Sequence, residues 1–172
     1  MVWKRIQAER QRGRHYQPRF HHTQVIGSWL GALLAITALG LIGAWSRYPL
    51  VVAPFGASSV LLFGHPSSPL AQPRNVVMGN TMAAIVSVAC VMAFGDAPWV
   101  MGLAVAVTIA LGQVLRCLHP PAGAVALLGV LLKAQPGFVV MPVLTGSLVL
   151  MLLAVAYSRI QPDAVRYPHH WL

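Results

Sequence analysis

Between residues 27 and 157 the chain carries only five charged side chains, and this scarcity limits most strongly what it can fold into. The five are Arg47, Arg74, Asp96, Arg116 and Lys133. Hydrophobic residues make up 57% of the chain and charged residues 9%, and the mean hydropathy is +0.68. Soluble domains carry about 25% charged residues. The composition therefore predicts an integral membrane protein whose first partner is the lipid bilayer.

Four apolar segments approach the roughly 20 residues that a membrane-spanning helix needs. They are 27–45, 76–94, 99–115 and 138–157. Segments of this length predict an all-α polytopic membrane protein with four full spans.

Two shorter apolar segments, 51–64 and 119–133, lie between these runs, one in each half of the chain. Each offers about 10 to 14 helical residues, or about 15 to 21 Å, against about 30 Å of hydrocarbon. Both contain proline and glycine near their start. We therefore expect two short helices, each broken or re-entrant, between the long ones.

The two short segments match each other. Setting Pro54 against Pro121 aligns PFGA with PAGA, and the same offset of 67 residues aligns Gly79 with Gly146. The order of elements agrees as well, since each half reads long helix, short helix, long helix. The predicted repeat units are 25–95 and 98–158, within a transmembrane domain at 25–158.

Two topologies fit this order of segments. In the first, the short segments re-enter and leave on one side, which gives four spans. In the second, extended chain such as 65–75 completes each short helix, so that each unit crosses three times and the units are inverted. The inverted scheme places Arg74 and Arg116 on the side of the basic N-terminus, with Asp96 opposite. The sequence leaves both schemes open.

Six of the twelve Lys and Arg residues precede residue 20, so the net charge of +9 is mainly a property of an N-terminal arm at 1–24. A basic arm before apolar spans is typical of a cytoplasmic retention signal. Arg159 and Arg166 give the tail at 159–172 the same sign. We expect both termini in the cytoplasm, a bacterial inner membrane as the location, and no binding to nucleic acid.

The stretch HPPAGA at 119–124 suggests a small anion site at a helix start. Proline is tolerated at the first helical position, so His119 is expected near the N-cap. Small residues behind it leave the free N–H groups of the first turn approachable, and the helix dipole favours negative charge there. The predicted substrate-binding residues are His119, Pro120, Pro121, Gly123 and Ala124, and in the first short segment Pro54, Gly56, Ala57, Ser58 and Ser59.

Four further residues near the helix breaks, His65, Arg74, Asn75 and Arg116, are candidates for gating or for attracting an anion. Each also has a structural interpretation. A histidine caps a helix or bonds a carbonyl, and an arginine near a span end extends to the interface. Asn75, like Gln72, is suited to satisfying backbone groups that an irregular segment leaves free.

Glycines in membrane helices likewise have two alternative roles. Gly56 and Gly123 either face a substrate or allow helices to pack closely. The spacing of Gly27 and Gly31 is that of a GxxxG motif, which here predicts packing within the chain rather than a dimer seam.

The sequence resembles the HPP family of integral membrane proteins. The likeness rests on HPPAGA at 119–124 and on APFGASSVLLFGHPSSPLAQPRN at 53–75, and it extends over roughly 25–157. The resemblance implies a multi-pass protein with about four spans, and some plant plastid and cyanobacterial relatives are linked to nitrite transport. Nitrite is therefore the first candidate substrate.

Absences narrow the mechanism. The sequence has no Walker-type phosphate loop, and its only acids, Glu9, Asp96 and Asp163, lie outside the predicted spans. A buried carboxylate relay is therefore not expected, which leaves downhill conduction or symport through histidine. We expect a transporter or channel for a small inorganic anion, and the alternative is a membrane scaffold or sensor without transport.

No enzymatic activity, catalytic residue, cofactor or metal site is expected. The sequence offers no evident nucleophile with a base and no cluster of metal ligands. A homo-oligomer remains open at this stage.

Overall fold

The computed structural model describes residues 2–16, 19–46, 53–161 and 165–171. Within these ranges the chain is helical and has no strand. Three sequence features named above, Arg47, Asp163 and the first two residues of the 51–64 segment, lie outside the described residues. The helices are α1 Val2–Tyr16, α2 His22–Ser46, α3 Ala53–Gly64, α4 Asn75–Phe94, α5 Pro98–Val114, α6 Pro120–Leu131 and α7 Val139–Ile160.

Among the described residues, three helices, α2, α4 and α7, are long and apolar enough to cross a membrane. The segment predicted at 99–115 forms α5, which has 17 residues and a length of about 25 Å at about 1.5 Å per residue. The prediction of long apolar helices is confirmed for three of the four segments. The prediction of two short apolar helices is confirmed by α3 and α6, at 12 residues each.

Three of the helices have a π-helical turn at one end. α3 ends in a π-helical turn at Val60–Gly64, α4 begins with one at Asn75–Gly79, and α7 begins with one at Val139–Leu144. In the last of these, Met141 leaves helical geometry (φ −125°, ψ 120°) beside Pro142. Proline removes a helical N–H donor and its ring clashes with the preceding turn, which accounts for the kink.

Schellman motifs end both α5 and α6. After α5, the Cys117 N–H donates to the Gly112 carbonyl at 2.9 Å, and after α6 the Ala134 N–H donates to the Gly129 carbonyl at 2.8 Å. The residues at the left-handed position are Arg116 (φ 53°) and Lys133 (φ 50°), where glycine is usual. These caps satisfy carbonyls that the helix ends would otherwise leave free.

Each short helix packs between two long ones. α3 contacts α2 and α7 in one core cluster, whose buried residues include Leu39, Phe55 and Leu150. α6 contacts α4 and α5 in the other, which includes Val100 and Val125. The two short helices also contact each other, so they join the two clusters.

The GxxxG glycines of α2 face other helices of the same chain. A side chain at Gly27 would collide with Gln161, and one at Gly31 would collide with Phe63 and Tyr157. The predicted role of this motif in packing within the chain is therefore confirmed.

The two ends of the helix bundle differ in charge. Tyr157 Oη donates to the Gly27 carbonyl at 2.8 Å, so α7 ends beside the start of α2. Tyr167, beyond α7, donates to the Ala71 carbonyl at 2.9 Å, so the linker into α4 lies at this end too. We call it the basic end. Its described arginines are Arg19, Arg74, Arg116, Arg159 and Arg166.

The opposite end carries an exposed ion pair. Lys133 Nζ lies 3.0 Å from Asp96 Oδ2, which ties the segment after α6 to the turn between α4 and α5. The hydrogen bond and the charge of Lys133 lower the pKa of the Asp96 carboxyl. Arg74 and Asp96 thus lie at opposite ends, which both topologies require because α4 lies between them. The relation of the two halves as repeats stays a prediction.

The N-terminal arm and the tail differ in how they are held. The arm forms α1, and its side chains from Val2 to Arg10 are exposed. The tail packs onto the membrane domain through Tyr167, which is 1% exposed. This docking was not predicted, because a tyrosine among basic and histidine residues is typical of a solvated tail.

Candidate functional site

The predicted start of the second short helix is confirmed. Pro120 is the first residue of α6 and His119 is its N-cap, with extended backbone (φ −133°, ψ 112°). The His119 side chain makes no capping bond to its own helix. Instead the Ala122 N–H donates to the His119 carbonyl at 2.9 Å, so one of the free N–H groups expected for a ligand is already occupied.

The His119 ring is buried and joins three parts of the chain. It is 2% exposed, its Nε2 lies 2.9 Å from Ser58 Oγ, and its Nδ1 lies 2.9 Å from the Leu70 carbonyl. Since a carbonyl can only accept, Nδ1 carries the hydrogen, and in the neutral ring Nε2 accepts from the Ser58 hydroxyl. His119 therefore links the start of α6 to the middle of α3 and to the linker before α4.

Two of the predicted gating residues bond the segment before His119. Asn75 Nδ2 donates to the Leu118 carbonyl at 2.7 Å, and Arg74 Nη2 donates to the Leu115 carbonyl at 2.7 Å. The Leu115 carbonyl lies at the end of α5, where the helix dipole favours a cation. The Asn75 contact matches the structural interpretation of that residue, whereas Arg74 bonds a helix-end carbonyl and its extension to the interface stays a prediction.

Close packing also positions His119. A Cβ added at Gly79 of α4 would lie 2.8 Å from the Cys117 carbonyl oxygen and 2.9 Å from His119 Cβ. Only glycine lets the 117–119 segment lie this close to the helix. The matched glycine of the other unit, Gly146, is buried as well.

The structure divides the remaining predicted residues between buried and exposed surfaces. In α3, Pro54, Ser58 and Ser59 are buried, while Gly56 and Ala57 are exposed. Ser59 Oγ donates to the Phe55 carbonyl of its own helix at 2.9 Å.

In the second group, Pro121 is buried, Gly123 is half-buried, and Pro120 and Ala124 are exposed. His65 and Arg116 are exposed and do not reach His119. Of the predicted set, Ser58 therefore bonds the His119 ring and Asn75 bonds the residue before His119, and the side chains of the other described members bond neither residue.

Gln72 has the structural role expected for it. It is 1% exposed, and its Nε2 donates to the carbonyls of Ser68 (2.8 Å) and Pro66 (3.1 Å). Its Oε1 accepts from the His169 N–H at 2.9 Å. Gln72 thus satisfies freed backbone in the linker and fastens the tail to it.

A second buried polar contact was missed by sequence reasoning. Asn80 Nδ2 donates to Ser147 Oγ at 3.1 Å, between α4 and α7. Three buried atoms have no hydrogen-bond partner among the described residues, namely Asn80 Oδ1, Thr81 Oγ1 and Thr108 Oγ1. The repeat offset was the available signal, because Asn80 and Ser147 are 67 residues apart.

Among the described residues, three long and three shorter apolar helices around buried polar side chains define an integral α-helical membrane protein. Comparison with known families agrees, since the model described as "HPP, transmembrane region" matches residues 17–168. The chain belongs to the HPP transmembrane family.

Two transmembrane proteins of Dictyostelium discoideum are similar to this chain. One is 34% identical over 172 residues, which covers 92% of this chain and 60% of the relative. The other is 35% identical over 156 residues, which covers 84% of this chain and 50% of the relative. The chain thus spans only half to three fifths of the length of these relatives. No solved structure matches it significantly.

Proposed function

We propose that this protein passes a small inorganic anion through the membrane along the contact between α3 and α6. The observation that carries the proposal is the buried His119 ring, bonded to Ser58 where two helices too short to span meet. Ionisable groups inside a membrane domain are costly and usually mark ion or substrate pathways. Paired short helices are likewise the sequence pointer to a transport site.

Buried hydroxyl groups in α4 and α5 support the same proposal. Thr81 and Thr108 each have a hydroxyl with no partner among the described residues. Hydroxyl groups can donate to an anion, and a buried polar group without a partner calls for an explanation. A polar permeant or water would satisfy them.

The uneven distribution of charge indicates which end of the helix bundle attracts anions. The described arginines outside α1 lie at the basic end, and the opposite end carries the neutralised pair of Lys133 and Asp96. A cationic mouth raises the local concentration of anions. Under the positive-inside rule the basic end is the cytoplasmic one, which gives both termini the same side.

We also propose that the two halves are inverted repeats. Asn80 and Ser147 occupy equivalent positions and touch each other, as expected beside a two-fold pseudo-axis. Each short helix packs against the first long helix of its own unit and the last long helix of the other. This exchange of partners supports a pathway at the interface of the two units.

Nitrite is the first candidate anion, on the family resemblance rather than on the geometry. Nitrite has a weak-acid form, and a histidine can supply or remove the proton that interconverts the two forms. The protein has no catalytic role in this proposal. Within the described residues there is no group of three His, Cys, Asp or Glu side chains that could hold a metal ion.

The test is nitrite flux into liposomes that contain the purified protein, with Gly56→Leu and Gly123→Leu as variants. A side chain at Gly56 meets nothing within 4 Å, and one at Gly123 meets only Val105 Cγ1 at 4.0 Å. Both positions therefore have room for an added Cβ, and thermal unfolding of each variant in detergent checks that leucine leaves the chain folded. Gly102→Leu in α5, which also has open space, is the matched control.

Flux that needs the protein, stops in the Gly56 and Gly123 variants and persists in Gly102→Leu would support the pathway. Its dependence on a pH gradient would distinguish proton symport from a channel. Equal flux in all three variants would remove the α3 and α6 positions from the pathway. No flux above empty liposomes, for nitrite, nitrate and formate alike, would reject transport.

A scaffold or sensor role is the second candidate, and the exposed α1 favours it. This helix presents Lys4, Arg5 and Arg10 together with Trp3, and all four side chains are exposed. A partner-binding role would be lost on deletion of residues 1–24 and kept in Gly56→Leu. The transport proposal predicts the reverse for flux.

A further inference from the structure

A cavity of about 360 Å³ opens at the basic end, away from the His119 contacts. The first turns of α2, the end of α3 with residues 65–67, the end of α7 and the docked tail form its walls. Nothing in the proposed anion pathway requires it. Its size lies within the range of about 300–1,000 Å³ that is typical of sites for organic ligands.

The inner wall of the cavity is apolar. Leu62, Phe63 and Ala154 are 2%, 8% and 3% exposed and face it from α3 and α7. The Phe63 and Tyr157 rings meet edge to face, with centroids 5.8 Å apart, which fixes the shape of this wall. A surface of this kind suits the hydrocarbon part of a ligand.

The hydrogen-bonding groups at mid-depth are already used within the chain. Ser28 Oγ donates to the Phe63 carbonyl at 2.7 Å, and Tyr157 Oη donates to the Gly27 carbonyl at 2.8 Å. Ser158 Oγ donates to the Tyr167 carbonyl at 3.0 Å. A ligand that enters this depth therefore meets mostly apolar atoms.

The rim of the cavity carries the free polar groups. Arg19, His21 and His65 are exposed, and their side chains have no hydrogen bond or ion pair among the described residues. Among the described residues that line the cavity there is no Asp or Glu. The rim thus offers a guanidinium and two imidazoles to a negative group.

We propose that this cavity binds an amphiphilic anion, with its carboxylate or phosphate at Arg19 and His65 and its apolar body against Phe63. The volume favours such a ligand over a small inorganic ion. At about 30 Å³ per molecule the space equals about a dozen waters, most of which a three-atom anion would leave in place. An apolar body displaces them from an apolar wall.

Decanoate is the probe, measured by equilibrium binding of the labelled acid to the full chain in phosphatidylcholine nanodiscs. Empty nanodiscs give the background. Two control ligands each lack one part of decanoate: decanol has the apolar chain without the carboxylate, and inorganic phosphate has negative charge without the apolar chain. We expect saturable binding of decanoate, at least about ten-fold weaker binding of decanol, and no competition by phosphate.

Gly64→Leu is the variant that fills the cavity. Gly64 lines it, and a Cβ added there meets nothing within 4 Å, so a leucine side chain starts from open space at the cavity wall. Its control is Gly102→Leu, which adds the same side chain to open space on α5. We expect the first variant to abolish decanoate binding and the second to leave it unchanged.

Arg19→Gln tests the rim, with Arg159→Gln as its control. Arg159 is exposed at the same end of the bundle but does not line the cavity. We expect about a ten-fold loss of decanoate affinity in the first variant and none in the second. Equal losses would mean a general effect of charge and would overturn the site.

A second measurement distinguishes a bilayer lipid from a free amphiphile as the ligand. Native mass spectrometry of protein from phosphatidylglycerol nanodiscs would reveal a retained lipid that decanoate displaces, which assigns the site to a bilayer lipid. Decanoate binding without a retained lipid assigns it to a free amphiphile. Absence of saturable decanoate binding, or binding that Gly64→Leu leaves intact, would overturn the proposal whatever the result of the nitrite flux test.

Discussion

The two short helices share a motif and a length but differ in what they contribute. α3 lies between α2 and α7, and α6 lies between α4 and α5. At the offset of 67 residues, Ser58 and Leu62 of α3 correspond to Val125 and Gly129 of α6. The first helix therefore supplies a hydroxyl where the second is apolar, and the second helix approaches its neighbour more closely because it has no side chain there.

The polar link between the helices is correspondingly asymmetric. His119 bonds Ser58, yet the residue 67 positions before His119 is Val52. If the two halves are repeats, the contact between His119 and Ser58 has no counterpart at the matched positions. Under the proposed repeat, packing and chemistry follow separate rules in the two halves, since the order of helices recurs while the buried ionisable group occurs once among the matched positions.

Gly129→Leu should give the largest effect, because it breaks the close packing peculiar to α6. A Cβ at this position would overlap the Ser87 side chain and lie 3.4 Å from the Phe138 ring. We expect a loss of more than about 3 kcal/mol of stability, or no folded protein, from overpacking. Thermal unfolding in detergent, followed by maleimide labelling of the buried thiols of Cys90 and Cys117, measures it.

The control for that substitution is Gly102→Leu, where the new side chain meets open space. Leucine is a better helix former than glycine by up to about 1 kcal/mol, so this variant should be neutral or slightly stabilised. A similar loss in both variants would show that α6 is not packed more tightly than an open helix face.

His119→Ala should give the second largest effect, because it removes the contact that both helices share. The substitution leaves the buried Ser58 hydroxyl and the part-buried Leu70 carbonyl without their partner. Two lost partners cost about 2–6 kcal/mol together, and because the Leu70 carbonyl is only part-buried we expect a loss near the lower end of that range by the same thiol assay.

Two serine variants sharpen this prediction. Ser58→Ala should cost about 1–2 kcal/mol because the ring Nε2 loses its partner. Ser59→Ala should cost only about 0.5 kcal/mol, since its hydroxyl bonds a carbonyl within its own helix. Equal losses for the two serines would contradict a specific link between His119 and Ser58.

Sequence patterns anticipated the elements better than their contacts. Long apolar runs predicted α2, α4 and α7, and the paired prolines predicted the start of α6 at Pro120, because both rest on local physics. Local physics does not say that His119 would turn away from its own helix to Ser58, 61 residues earlier. That contact depends on how α3 and α6 cross.

The docking of the tail was missed for a related reason. Tyr167 is buried because Ala71 and Ser158 offer it hydrogen-bond partners from distant parts of the chain. Apolar periodicity carries no information about such pairing. The same holds for Arg74 and Asn75, whose acceptors are backbone carbonyls that no residue type reveals.

Tyr167→Phe tests the contact between the tail and the segment that follows α3, and it should give a smaller effect than Ser58→Ala. The phenol donates to the Ala71 carbonyl at 2.9 Å, and burial raises its pKa, so it stays a donor. Loss of this bond should cost about 1 kcal/mol and should speed proteolysis of the tail. Unchanged proteolysis would mean that Gln72 and Ser158 hold the tail without the phenol.

Asp96→Asn tests the segment that follows α6 and should give the smallest effect, because the pair with Lys133 is exposed and solvent screens it. The pKa of Asp96 lies below its ordinary value of 3.8. The ion pair therefore contributes to stability above pH 3.8, and this contribution is lost as the pH falls through the lowered pKa. The effect should also fade in high salt. A Lys133→Gln background should abolish it, and a persistent difference there would give Asp96 another partner.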